Sequence, residues 1–410
     1  MKFLCLIGDG MADFPLPERG DRTPLQLASI PAMDALAAEG LCGLYWPIPE
    51  DLPPGSDIGN LSLFGYNPHE TFTGRAPLEA ANQGIALGPG DVAFRCNLVT
   101  LQGGAMKSFT SDHISTEEAA ELIRFLDAAC PRACKLYPGV SYRHLAVIPD
   151  SEVKPDALDH TACTPPHDIT GQAFEDFLPN GPAGDYLRDL MAWSRPLLAD
   201  HPINAARIAA GKLPATSIWL WGQGRPPRMA SYRDRFGITG AVISAVDLVK
   251  GIGVCAGLDV IQVPGATGYI DTNYEGKVEA ALRALETVDF VYLHVEAPDE
   301  CAHEGDIDKK IRAIEDFDKR VVAPCLAAAR SHAGWRVLVA PDHVTALGTG
   351  THAGGPVPFA LWGCDVATNG VPQYDEASAA AGGLVVNPGH LLVPGLLRPE
   401  PLNAHTLMKA

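Results

Sequence analysis

The sequence predicts an α/β protein: a mostly parallel sheet flanked by helices, with an α+β domain inserted into it. Three apolar runs carry this expectation. Val288–Val295 and Val337–Ala340 read as buried strands, and each delivers an Asp and a His at or just past its carboxyl end. Phe3–Ile7 reads the same way and runs directly into Gly8-Asp9-Gly10. Open α/β sheets place their ligands at that end of the strands.

The chain has 410 residues, 47% hydrophobic and 20% charged, enough material for two or three domains. A net charge of −18 argues against nucleic acid or an anionic membrane surface as a partner. It does not argue against a small anionic substrate, because local arginines and metal ions set the field of a cleft. No run approaches ~20 uninterrupted apolar residues. The first residues lack the long apolar region and cleavage site of a signal peptide. The ten scattered cysteines read as reduced thiols, with Cys130 and Cys134 a lone C-x-x-x-C lacking a second pair. The expectation is a cytoplasmic protein with neither nucleic acid nor membrane as partner; a homo-oligomer is compatible with it.

Asp9 between two glycines is placed to reach a ligand, or to make an Asx-turn or helix cap. Thr23–Gly40 has the pattern of one amphipathic helix stopped by Gly40. Ser56 follows Pro53-Pro-Gly and precedes an apolar helical stretch. It is either an N-cap or a hydroxyl held where a helix N-terminus, and a bound metal more strongly, favour its anion.

From about Asp91 to Pro214 the pattern changes. Phe94–Leu101 reads as a strand, Ile114–Leu126 as a helix opened by Ser115-Thr-Glu-Glu, and Val140–Ile148 contains a further strand. These residues are expected to form an inserted cap domain, 91–214, in a core built from 1–90 and 215–410. Ser217–Trp221 is expected to return the chain to the core sheet. A helix over Val242–Gly251 and a strand over Leu258–Val263 should follow.

Asp299 and His303, four residues apart, share one face of a helix. Asp342-His343 follows the next strand, and His352 lies in the glycine-rich stretch 348–355. One such pair is ordinarily a solvated pair. Together they point to a metal, and mixed carboxylate and imidazole ligands suit zinc, manganese or iron better than calcium. Gly305–Val322 has the pattern of an amphipathic helix whose charges form a solvated face. Residues 366–386 read as a surface loop, Leu391–Leu397 as a closing core segment, and the last ten residues as a loose tail.

Further stretches narrow the reading: Gly8-Asp-Gly-Met11, Gly55-Ser-Asp-Ile-Gly-Asn-Leu-Ser-Leu-Phe-Gly-Tyr66 and Gly74-Arg-Ala-Pro-Leu-Glu-Ala-Ala81. To these add Asp91–Leu98, Ile114–Ala119 and Pro264–Asn273. With the Asp and His positions above, this text resembles the alkaline-phosphatase superfamily. It resembles most closely its cofactor-independent phosphoglycerate mutases of the archaeal type and their bacterial relatives. The likeness spans nearly the whole chain.

The resemblance implies an alkaline-phosphatase-like core and an isomerase of glycolysis and gluconeogenesis that interconverts 3-phosphoglycerate and 2-phosphoglycerate. By similarity, Ser56 is the nucleophile and becomes phosphoserine. Two divalent ions, Mn²⁺ before Mg²⁺, Zn²⁺ or Co²⁺, would be held by Asp9, Ser56, Asp342 and His343 and by Asp299, His303 and His352. The small phosphorylated hydroxy acid would be held by Arg95, His113, Arg143, His167 with Asp168, and Lys277. Two departures bear on the substrate. Trp221-Gly-Gln-Gly224 stands where archaeal mutases tend to have an Arg-Gly-x-Gly turn, and Asp112-His113 where they tend to have Gly-Arg. Fewer arginines, the usual bidentate partners of phosphate and carboxylate, point to a different phosphorylated or hydroxyl-bearing substrate. The text at 294–303 and 342–352 also resembles a bacterial branch proposed to act as homoserine kinase, so a related phosphotransferase of that kind is the alternative.

Overall fold

Phe3 to Ile7 carry no polar side chain, and a strand apolar on both faces needs cover on both. The computed structural model, which describes residues 1–154 and 156–408, pairs strand Lys2–Gly8 in parallel with Phe290–Val295 on one side and Trp335–Ala340 on the other. Gly240–Ile243 and Asp259–Val260 extend the sheet in parallel beyond Phe290–Val295. Beyond Trp335–Ala340 lie Val357–Gly363 and Leu41–Tyr45, joined antiparallel, and then Val385–Val386 at the edge. Met33, Leu36, Phe317 and Leu326 from flanking helices pack with Leu4, Leu6, Val291 and Val339 in one buried cluster.

The chain divides into two compact units, Met1–Phe72 with Arg228–Ala410, and Thr73–Pro227. The second has a five-stranded sheet in which Asp91–Gln102 pairs antiparallel with Arg143–Pro149, Ala105–Ser108 and Ser217–Gly224. Its boundaries lie outside 91–214 for two reasons. Helix Arg75–Asn82 buries Ala76 and Ala80 against Ala93, Leu145 and Val147. And Ser217–Gly224, whose residues Ser217–Trp221 were expected to return the chain to the larger sheet, does not join it but pairs with Asp91–Gln102. Trp219 and Leu220 are buried in the second unit's own core with Leu98 and Leu122. Helix Thr116–Ala129 begins with a capping box between Ser115 and Glu118.

Several local expectations are corrected. Thr23–Gly40 is two helices, Pro24–Leu27 and Pro31–Glu39, because Pro31 has no N–H to continue the first and starts the second at its first position. Val242 and Ile243 belong to a strand, and the helix that follows is Asp247–Cys255. The stretch 366–386 contains helix Glu376–Ala381, capped by Asp375, and the edge strand Val385–Val386, with Tyr374 fully buried. The tail folds as well: Asn403 caps helix Ala404–Leu407, and Leu402 and Leu407 are buried. Lys409 and Ala410 lie outside the described residues.

The helix over 305–322 is Ile307–Phe317 followed by a π-turn, Asp318–Val322. Its charges are not all solvated. Lys310 is fully buried, and Asp318 accepts hydrogen bonds from Ala32 N and Met33 N at the N-terminus of helix Pro31–Glu39.

Candidate active site

Register brings the acidic residues together. Gly8 lies opposite Val295, and Ile7 lies opposite both His294 and Ala340, so three parallel strands end at one level. Asp9 follows immediately, Asp342 and His343 follow after Pro341, and helix Ala297–His303 starts two residues past its strand. Asp9, Asp342 and His343 are at most 1% exposed. Their ligand atoms lie within 4.8 Å of one another, as do those of Asp299, His343 and His352.

Ser56 opens helix Ser56–Leu63 but does not cap it. The N-cap is Gly55, and Ser56 Oγ stands 3.0 Å from His343 Nε2. The helix comes close enough that a Cβ on Gly59 would sit 2.3 Å from the Asp342 carbonyl oxygen. Asn60 Nδ2 donates to Asp342 Oδ2 (2.6 Å) and to Ser56 O (2.8 Å), while its Oδ1 accepts from the Tyr292 hydroxyl. Gly10 N donates to Asp342 Oδ1 at 3.1 Å. Gly10 has φ +59°, and a Cβ there would meet Thr345 Oγ1 at 2.4 Å and Asp299 Oδ1 at 2.6 Å.

The second group is more open. His303 Nδ1 faces the Gly350 carbonyl at 2.8 Å, so it carries the proton and leaves Nε2 as a lone-pair donor. That Nε2 lies 3.1 Å from His352 Nε2 and 3.2 Å from Asp299 Oδ2. Asp299 raises His303 to about 9, a proton with which a cation would compete. Burial opposes ionisation of Asp299, but hydrogen bonds from His303 and His352 hold it well below the usual carboxylate range.

The donor set fits a divalent cation. Among the described residues, Asp9 Oδ1 is buried without a hydrogen-bond partner. Burial first, then the charges of Asp342, Asp299 and Glu296, push the Asp9 carboxyl well above its ordinary value. Like-charged buried carboxylates converging with imidazole nitrogens form a costly arrangement that a cation relieves.

Two further residues were not singled out from the sequence. His294 Nε2 lies 2.9 Å from Asp9 Oδ2, and its Nδ1 faces Ser244 Oγ at 3.2 Å. Thr345 touches both Asp299 and His343. His294 could have been suspected from its place just before the end of a buried strand; Thr345 carries no comparable signal.

The proposed substrate residues fall into three groups. Within the second unit, Arg95 Cζ lies 4.2 Å above the Trp221 ring and its Nε bonds Glu79, while the His167 ring is 5.3 Å from Trp221. His167 Nε2 stands 3.4 Å from Asp168 Oδ1, and Trp221 Nε1 donates to Asn97. Trp221, where an arginine was expected, is thus the platform joining Arg95 to His167. Arg143 is exposed and lies over Tyr142. His113 is exposed, the last of three successive non-glycine residues with positive φ (Ser111 to His113), and Thr110 Oγ1 accepts from its N–H. Lys277, in the first unit, is not at an open surface: it is fully buried and donates to His294 O at 3.1 Å. Burial lowers it to about 8, against the pull of Glu296.

A sequence model of the family described as 2,3-bisphosphoglycerate-independent phosphoglycerate mutase matches residues 37–204. A mutase of that name from Methanothrix thermoacetophila is 52% identical over 96% of this chain and 98% of its own. A probable one from Geobacter sulfurreducens is 52% identical over 97% of this chain and 100% of its own. The chain belongs to the 2,3-bisphosphoglycerate-independent phosphoglycerate mutases. It is therefore an isomerase of the intramolecular phosphotransferase kind.

Solved structures share the fold. A Pyrococcus horikoshii protein superposes with TM-score 0.80 at 28% identity, covering 100% of this chain and 98% of its own. The cofactor-independent phosphoglycerate mutase of Thermoplasma acidophilum gives 0.66 at 27% identity, covering 97% and 100%. The relatives named as mutases favour that activity over the homoserine-kinase alternative. No helix among the described residues is long and apolar enough to cross a membrane.

Proposed function

We propose that this chain interconverts 3-phosphoglycerate and 2-phosphoglycerate in the cytoplasm, through a phosphoserine at Ser56. The observation that carries the reading is Ser56 Oγ at 3.0 Å from His343 Nε2, at the mouth of the converging Asp and His groups. Two divalent cations, Mn²⁺ by preference, would be held by Asp9, Ser56, Asp342 and His343 and by Asp299, His303 and His352, and would supply positive charge that favours the serine alkoxide and neutralises phosphoryl oxygens.

Ser56 Oγ attacks phosphorus as the bond from phosphorus to the C3 oxygen breaks. The bound glycerate then reorients, and its C2 hydroxyl attacks the phosphoserine, restoring Ser56. Asn60 serves this by tying the backbone at Ser56 to Asp342, so the nucleophile and one carboxylate move as a unit. Arg95, Arg143, His113 and the His167–Asp168 pair are the proposed holders of carboxylate and phosphate, with Arg95 steadied by Trp221. Lys277, bonded to the His294 carbonyl, is proposed to act from beneath the site through its charge.

The test is to incubate the protein with 3-phosphoglycerate and Mn²⁺, quench in acid, and map phosphorylation by mass spectrometry. Phosphate on Ser56 supports the reading. Turnover with no phosphate at that residue under any quench time sinks it.

A further inference from the structure

The two ligand groups meet at one hydroxyl. Thr345 Oγ1 donates to Asp299 Oδ1 at 2.5 Å and lies 3.1 Å from His343 Nδ1. Thr345 and His343 are fully buried, and Asp299 is 5% exposed. A hydroxyl has one proton to give and lone pairs to accept with. Since that proton is committed to Asp299, the contact with His343 must take its proton from the ring: Nδ1–H donates to Thr345 Oγ1. Neutral His343 then carries a lone pair on Nε2, the atom that faces Ser56 Oγ at 3.0 Å and lies 3.4 Å from both Asp9 Oδ1 and Asp342 Oδ2.

Thr345 is itself held from several sides. Lys310 Nζ donates to its carbonyl at 2.7 Å, and its N–H donates to Ala12 O. In the two-stranded ribbon of Val344–Ala346 and Thr351–Ala353 it stands directly opposite His352, so both side chains point to the same face. Its hydroxyl occupies the space that the missing Cβ of Gly10 leaves.

We infer that Thr345 is a positioning residue that couples the two ligand groups, setting the tautomer of His343 and the orientation of Asp299 with a single hydroxyl. The inference rests on the metal-centre reading proposed above. Outer partners of ligating histidines and carboxylates typically govern metal affinity by about 10–100-fold.

The experiment is a Mn²⁺ titration of the metal-free 410-residue chain, with free Mn²⁺ followed by electron paramagnetic resonance. It compares wild type with Thr345→Val, Thr345→Ala and Thr345→Ser, alongside kcat, KM and apo urea midpoints. Thr345→Val and Thr345→Ala should weaken Mn²⁺ binding at both positions by about 10-fold or more and lower kcat with KM little changed. Thr345→Ser, which keeps the oxygen, should restore both. A purely structural role would lower the apo midpoint and leave Mn²⁺ affinity alone. The inference falls if a folded variant lacking the hydroxyl binds Mn²⁺ within about twofold of wild type, or loses only one position. Wild-type protein that takes up no Mn²⁺ would remove the metal-centre reading, and this inference with it.

Discussion

Lys310 offers the sharpest energetic test of how the site is held. Its ammonium donates to Ala12 O (3.2 Å), Asp13 Oδ2 (2.8 Å) and Thr345 O (2.7 Å), three donors for three acceptors. Both members of the Lys310–Asp13 pair are at most 1% exposed at the side chain. Removing one partner of such a pair leaves an uncompensated buried charge, at about 3–5 kcal/mol. Lys310→Met keeps the aliphatic bulk and strands Asp13, whose carboxylate still accepts from Phe14 N and Leu347 N but has lost its charged partner. Adding Asp13→Asn removes the stranded charge, so the double variant should recover about 2 kcal/mol relative to the sum of the singles. Urea unfolding of the four proteins at pH 7, without metal, reads the cycle. A loss below about 1 kcal/mol for Lys310→Met, or singles that add within about 0.5 kcal/mol, would refute the reasoning.

Glu376 is raised to about 7 by burial, against hydrogen bonds from Thr23 and Asp13. The folded state therefore holds a proton that the unfolded state releases near pH 4.5. Stability should fall by about 3 kcal/mol between pH 4.5 and 7 on this account and stay level above, and Glu376→Gln should flatten that slope in thermal melts. Asn60→Leu strips Asp342 and the Tyr292 hydroxyl of a buried partner; about 1–3 kcal/mol of stability and about 10–100-fold in metal affinity should go with it, measured by urea unfolding and calorimetric titration. Gly10→Ala must fit a methyl against Thr345 Oγ1 and Asp299 Oδ1 at positive φ, so kcat should drop at least about tenfold, where an undiminished rate would show that the loop yields freely.

The parallel sheet and the converging Asp and His residues were legible because strand ends and motif coincide. An apolar run followed within two residues by Asp, or by Asp-His, delivers those side chains close to where the strands stop, and parallel register aligns the stops. Lys310 and Thr345 were not legible, since nothing local marks them. Lys310 finds Asp13 across 297 positions, and Thr345 finds Asp299 across 46. The helical period around Lys310 is the same whether a charge faces water or a buried carboxylate. Ser217–Trp221, expected in the larger sheet, pairs elsewhere because an apolar strand does not encode its neighbour; Val99 pairs with Ser217 and Cys96 with Leu220. Pro31 was visible in the sequence, yet the apolar pattern running on past it masked the break.

The most direct measurement is mutase activity coupled to enolase, with 3-phosphoglycerate and Mn²⁺ and without 2,3-bisphosphoglycerate, for wild type and Ser56→Ala. Turnover that disappears on chelation, returns with Mn²⁺ and is absent from Ser56→Ala is the predicted result. Turnover that survives in a folded Ser56→Ala variant would contradict the account at its centre.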